Sequence, residues 1–131
     1  SSAASDVYKR QKLMIIIPLT SLATEAHAFD KGFLAYMIND FTTALIEWRK
    51  KAELGNATAQ TNIGDLYEAG NGVSKDNVLA YQWYSLGAMN GSNSAKKSKE
   101  YLETRMTPLE IKMAEELTKT CLASGYKDCS F

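Results

Sequence analysis

The sequence predicts an all-α protein, a short solenoid of antiparallel helix pairs closed by a C-terminal capping helix. Three observations point there. First, the chain repeats itself at an interval of 36 residues: Asp40, Ala44, Ala52, Gly55 and Ala59 recur as Asp76, Ala80, Ala88, Gly91 and Ala95. Self-similarity at such a period is the mark of stacked supersecondary units. Second, no run of alternating β-branched residues occurs after Phe29, while Ala is abundant. Third, small residues (Ala52, Ala59, Gly64, Ala80, Ala88, Ala95) alternate with large ones (Trp48, Tyr67, Trp83, Tyr84, Tyr101). That alternation lets neighbouring helices approach closely and fill each other's gaps.

The chain divides into two parts, 1–28 and 29–131. Residues 1–11 carry no periodicity and form an N-terminal extension. Lys9, Arg10 and Lys12 precede an apolar run from Leu13 to Ala23, followed by Ala26-His27-Ala28. This is the layout of a secretory signal, with cleavage expected between Ala28 and Phe29. The apolar run is too short to span a bilayer as a helix, so no stable membrane insertion is expected after cleavage. The alternatives are a helix of the folded domain or an uncleaved anchor.

The remaining elements follow in order. A first helix is expected over 29–38, burying Phe29, Phe33, Tyr36 and Met37. Asp40 caps a second over 41–54, with Phe41, Ala44, Leu45, Trp48 and Ala52 inward and Gly55 closing it. A third over 57–69 buries Ala59, Ile63, Leu66 and Tyr67 and stops at Gly70. Asp76 caps a fourth over 77–89, with Ala80, Trp83, Tyr84 and Ala88 inward. A fifth spans 93–105. The sixth begins at Thr107, with Pro108 at its first position and Glu110 completing a capping box, and runs to about Ala123 before Gly125. It is the capping helix, 107–124.

Composition narrows function. The 15 basic and 15 acidic residues give zero net charge, which argues against a nucleic-acid partner. Past residue 28 there is no histidine. The Gly70-Asn71-Gly72 loop lacks the Lys-Ser/Thr of a phosphate loop, and its glycines are those of a helix end and a turn. Asp40, Asp76 and Glu110 read as helix caps, Glu115 and Glu116 as a solvated face. No catalytic residue, metal site or cofactor is predicted. Cys121 and Cys129 are the only cysteines; in an exported chain an even pair suggests a disulfide, the alternative being two free thiols.

The stretch from Ala59 to Ala95 resembles a Sel1-like repeat, a relative of the tetratricopeptide repeat. The residues that carry the resemblance are Ala59, Ile63-Gly64, Tyr67, Gly70-Asn71-Gly72-Val73, Asp76, Ala80, Trp83-Tyr84, Ala88, Gly91 and Ala95. Gly87 departs from the pattern, which has Ala there. The preceding unit keeps Tyr36, Asp40-Phe41, Ala44, Trp48, Ala52 and Gly55 but lacks the Gly-x-Gly-Val loop. The unit after Ala95 keeps only its first helix. The resemblance implies a right-handed α-solenoid and an adaptor or scaffold role in bacteria, often in the envelope, hence a periplasmic or secreted protein. A cysteine-rich exported branch cross-links helix pairs through cysteines eight positions apart, the spacing of Cys121 and Cys129.

The function expected is therefore protein–protein interaction without catalysis, the partner being another protein or a peptide. The first helix of each unit lines the concave face of such solenoids. By the repeat register this places Thr58, Thr61, Asp65 and Glu68, then Lys97 and Tyr101, on the binding face. The aromatics Trp48, Tyr67, Trp83 and Tyr84 are expected in the core. The runner-up is a small periplasmic enzyme or a binder of cell-wall fragments on the same scaffold. Homodimerisation through the open end of the stack, near Tyr101 and Leu102, is a third reading.

Overall fold

A computed structural model describes residues 30–131. The expected signal, its cleavage point and Phe29 lie outside the described residues. Six helices follow one another: α1 (Lys31–Met37), α2 (Phe41–Ala52), α3 (Ala57–Ala69), α4 (Asn77–Met89), α5 (Asn93–Glu103) and α6 (Pro108–Ala123). No strand occurs among the described residues, and no helix there is long and apolar enough to cross a membrane.

Each start is set by a side chain that satisfies an orphan amide of the first turn. Asp30 accepts from Gly32, Asp40 from Thr43, Asn56 from Ala59, Asp76 from Leu79 and Ser92 from Ala95. Thr107 and Glu110 form the reciprocal capping box, at 3.2 Å and 2.8 Å. Gly70 ends α3 at φ 73°, the left-handed conformation that favours glycine.

Consecutive helices pack as pairs, and α4 is the hub, touching α3, α5 and α6. The core is aromatic and aliphatic: Tyr81, Trp83, Tyr84, Ile63, Leu66, Leu86 and Leu102 are fully buried. Glycines make the room. A Cβ on Gly64 would stand 2.6 Å from the Tyr84 ring, so the two helices meet backbone against ring. Gly87 is a second notch, where a Cβ would lie 2.8 Å from the Thr61 hydroxyl and 3.0 Å from Ala95. The departure of Gly87 from the repeat pattern thus has a packing reason.

Gly32 and Trp48 repeat the arrangement of Gly64 and Tyr84 in the first unit, the indole occupying the space of a Cβ. Trp48 and Tyr84 stand 36 apart in sequence, whereas Gly32 and Gly64 stand 32 apart. The difference is the linker: residues 38–40 join α1 to α2, four fewer than residues 70–76 between α3 and α4. This register turns α1 from the expected orientation. Gly32 and Ala35 are its buried residues, because they face α2. Phe33 and Met37, expected inside, lie 52% and 64% exposed, and Tyr36 is partly open at the edge.

At the other end, α6 covers α4 with Ala114, Thr118 and Cys121. Cys121 and Cys129 form a disulfide, their Cα atoms 4.3 Å apart.

Gly64→Ala tests the backbone-to-ring contact. Ala favours an isolated helix by up to ~1 kcal/mol, but overpacking a filled core costs about 1–3 kcal/mol. A net loss of stability is expected, with a fall in Tm of roughly 5–10 °C by circular dichroism. A Tm at or above that of the parent chain overturns the contact.

A candidate binding groove

The side of the stack formed by α1, α3 and the end of α5 carries two adjoining cavities. One, of about 230 Å³, is lined by Phe33, Tyr36, Trp48, Asn62 and Asp65. The other, of about 420 Å³, is lined by Tyr36, Asp65, Glu68, Ala69, Lys75 and Arg105. Tyr36 and Asp65 belong to both, so the two form one groove.

Its polar centre depends on a core residue. The Tyr84 ring is fully buried against Gly64, yet its hydroxyl reaches the groove, 2.7 Å from Asp65 Oδ1 and 2.6 Å from Glu68 Oε2. A phenol has one hydrogen to donate, so two carboxylates share one donor. Burial and the two carboxylates together push the Tyr84 pKa far up and keep the phenol protonated. Burial also pushes the Asp65 carboxyl above its ordinary range; the Tyr84 hydrogen bond pulls it back in part, and the charge of Glu68 adds to the rise. Among the described residues, no basic side chain forms an ion pair with Asp65 or Glu68.

The aromatic end is braced from behind. Tyr36 packs against Phe41 and Trp48, with ring centroids 5.4 Å and 5.7 Å away. The Trp48 indole donates to Asp30 Oδ2 at 3.1 Å, and Lys51 pairs with Oδ1 of the same carboxylate at 3.1 Å. Partial burial raises the Asp30 pKa, but Lys51, Trp48 and the Gly32 amide outweigh it, and the net shift is downward. At the opposite end Arg105 donates to the Tyr101 hydroxyl at 3.4 Å. The groove thus runs from exposed aromatic rings through paired carboxylates to Lys75 and Arg105. Such a surface suits the apolar and charged side chains of an extended segment.

The predicted face is partly assembled. Asp65 and Glu68 come together on Tyr84. Tyr101 is exposed and supports Arg105 rather than lining the cavities. Thr58 and Lys97 are exposed on α3 and α5, outside the lining of both cavities. Thr61 is corrected: it is buried, with its hydroxyl on the Ala57 carbonyl at 2.7 Å and the Ser92 hydroxyl at 2.9 Å, so it joins α3 to the start of α5. Asn62, one position on, takes its place in the groove. Phe33, Tyr36, Lys75 and Arg105 were also missed. The signal for the first two was the Gly32–Trp48 pairing, which fixes the rotation of α1.

Asp65→Asn removes a desolvated charge that Glu68 repels. The raised pKa means that wild type loses stability as pH rises through the Asp65 titration, and the variant lacks that loss. The variant is expected to equal or slightly exceed wild type at pH 7, solvent screening at the exposed Asp65 keeping the gain small, and to match it more closely near pH 3. Thermal melts across that range check the sign; a variant less stable at pH 7 than at pH 3, relative to wild type, contradicts it.

The Sel1 repeat family model matches residues 57–92, the stretch that holds α3, the glycine loop and α4. No curated protein matches the chain. With the glycine notch, the left-handed stop at Gly70 and the aromatic pair of α4 all in the repeat's own places, residues 57–92 of this chain form a Sel1 repeat.

Proposed function

We propose that the chain is a non-catalytic adaptor that holds a segment of another protein in the groove between α1, α3 and the end of α5. Sel1 repeats generally mediate protein–protein interaction, and the presence of the groove supports that reading. The observation that carries the reading is the joined pair of cavities, in which exposed Phe33 and Tyr36 stand beside carboxylates that no cation of the described chain pairs. Exposed aromatic anchors beside unpaired charge are what a partner segment covers on binding. An exported, envelope location is part of the proposal. The bridged Cys121–Cys129 pair supports it, as does the signal-like order of basic flank, apolar run and Ala26-His27-Ala28.

A cell-wall fragment is the second reading. The aromatic cavity with Asn62 and Asp65 at its edge favours it, since sugars stack on rings and bond to such groups. At about 230 Å³ that cavity is small for a dedicated ligand pocket, whereas the continuous groove matches an extended chain.

Affinity capture from an envelope extract, with the wild-type chain and a Tyr36→Ala/Asp65→Lys double variant, tests the adaptor role. A protein partner retained by wild type and reduced at least tenfold by the variant is expected. Equal retention by both removes the groove from the interaction. Saturable binding of a soluble peptidoglycan fragment, with no protein retained, reverses the order of the two readings.

A further inference from the structure

The chain beyond α6 turns back across the other side of the stack. Gly125 and Tyr126 both take positive φ, 63° and 68°, and reverse its direction. Tyr126 then lies over Gly55 at the α2–α3 turn, and its hydroxyl meets the Asn90 side chain at the end of α4. Farther on, Ser130 and Phe131 enter a cleft between α4 and α2. Gln82, fully buried, donates from Nε2 to the Ser130 carbonyl at 3.0 Å and accepts from the Ser130 amide at 3.4 Å. The Trp83 indole donates to the same carbonyl at 3.0 Å. The Phe131 ring lies 4.7 Å from that of Trp83, with the Arg49 guanidinium carbon 3.8 Å from its centre.

Two features set this apart from ordinary tail packing. Gln82 uses both ends of its amide on the main chain of a single residue, 48 positions away, as one strand reads another. A slot of Trp83 and Arg49 then takes the next side chain. The cleft therefore reads a backbone and one aromatic ring, independently of the Ser130 side chain. If the segment leaves, Gln82 and the Trp83 indole lose the only partners these groups have among the described residues, so the open cleft favours a replacement chain. The Cys121–Cys129 bridge lies directly before the docked residues and ties them to α6.

We propose that the Gln82–Trp83 cleft is a peptide-binding site, filled in cis by Ser130–Phe131 while Cys121 and Cys129 are bridged. It takes an extended segment with an aromatic residue next to the residue that Gln82 bonds. Reduction opens it by thiol–disulfide exchange. A dithiol attacks the sulfur of Cys129, the less enclosed residue of the two (8% exposed, against none for Cys121). The S–S bond breaks, two electrons and two protons pass to the cysteines as thiols, and the dithiol leaves as a disulfide. The site lies opposite the groove and does not depend on the adaptor reading.

Amide hydrogen exchange on the whole chain tests the gate. Reduction with dithiothreitol is expected to lower protection at Ser130 at least tenfold and leave α3 and α4 protected. Unchanged protection at Ser130 overturns the gate. A labelled peptide of residues 126–131 carrying C129S tests the site. It should bind the reduced F131A chain saturably and the oxidised wild-type chain at least tenfold more weakly, while the same peptide with F131A does not bind. Equal binding by both peptides, or none to reduced F131A, overturns the site. A chain with both C121S and C129S replaces reduced F131A if far-ultraviolet circular dichroism shows the latter unfolded.

Discussion

The approach of α3 to α4 at Gly64 is the contact on which the rest depends. With no Cβ at Gly64, the Tyr84 ring lies directly on the α3 backbone. That depth carries the Tyr84 hydroxyl through to the far side of α3, where Asp65 and Glu68 sit one and four positions along. One packing event therefore closes the core and sets the charge of the groove. A shallower ring would leave the two carboxylates, neighbours three apart on α3, without the shared phenol hydrogen. The polar centre of the groove is thus placed by the interior.

The first unit solves the same problem with other residues. Trp48 stands where Tyr84 stands, Gly32 where Gly64 stands, and Asp30 takes the indole hydrogen as Asp65 and Glu68 share that of the phenol. The positions equivalent to Asp65 and Glu68, one and four beyond the glycine, hold Phe33 and Tyr36. The groove acquires its apolar-to-acidic gradient from this substitution within a repeated frame. Repetition supplies the scaffold, and the residues that break the repetition supply the character of the surface.

The helices were legible because their starts are local events. Asp40, Asp76 and Thr107 announce themselves by the residue two or three positions on, and Gly70 by its place after the last apolar turn. The groove was legible only in part. Asp65 and Glu68 follow from the repeat register, but an error of one position turns a helical side chain by about 100°, and that separates buried Thr61 from Asn62 in the groove. What makes Thr61 internal is the gap left by Gly87 and the Ser92 hydroxyl, a residue 31 positions away. Gln60 and Gln82 were invisible for the same reason. Gln60 donates to the Ala52 carbonyl across the α2–α3 turn and accepts from Asn90, 30 positions on, while Gln82 bonds Ser130, 48 positions on; no local pattern marks a glutamine as interior.

A short stack is vulnerable because each helix pair contacts only its neighbours, and ~3 units are ordinarily needed to hold together. This chain has one complete repeat with partial units on either side. The segment after α6 alters that arithmetic by touching elements that are not adjacent in the stack: Tyr126 rests on the α2–α3 turn, and Phe131 lies between Trp83 of α4 and Arg49 of α2. Opening the first unit therefore disturbs a contact made by the last. The linear coupling of a solenoid becomes a closed circuit, with the disulfide at the point where the circuit leaves α6. The groove lined by α1, α3 and the end of α5 takes no part in that circuit, and its polar tie to the core is the Tyr84 hydroxyl held by Asp65 and Glu68.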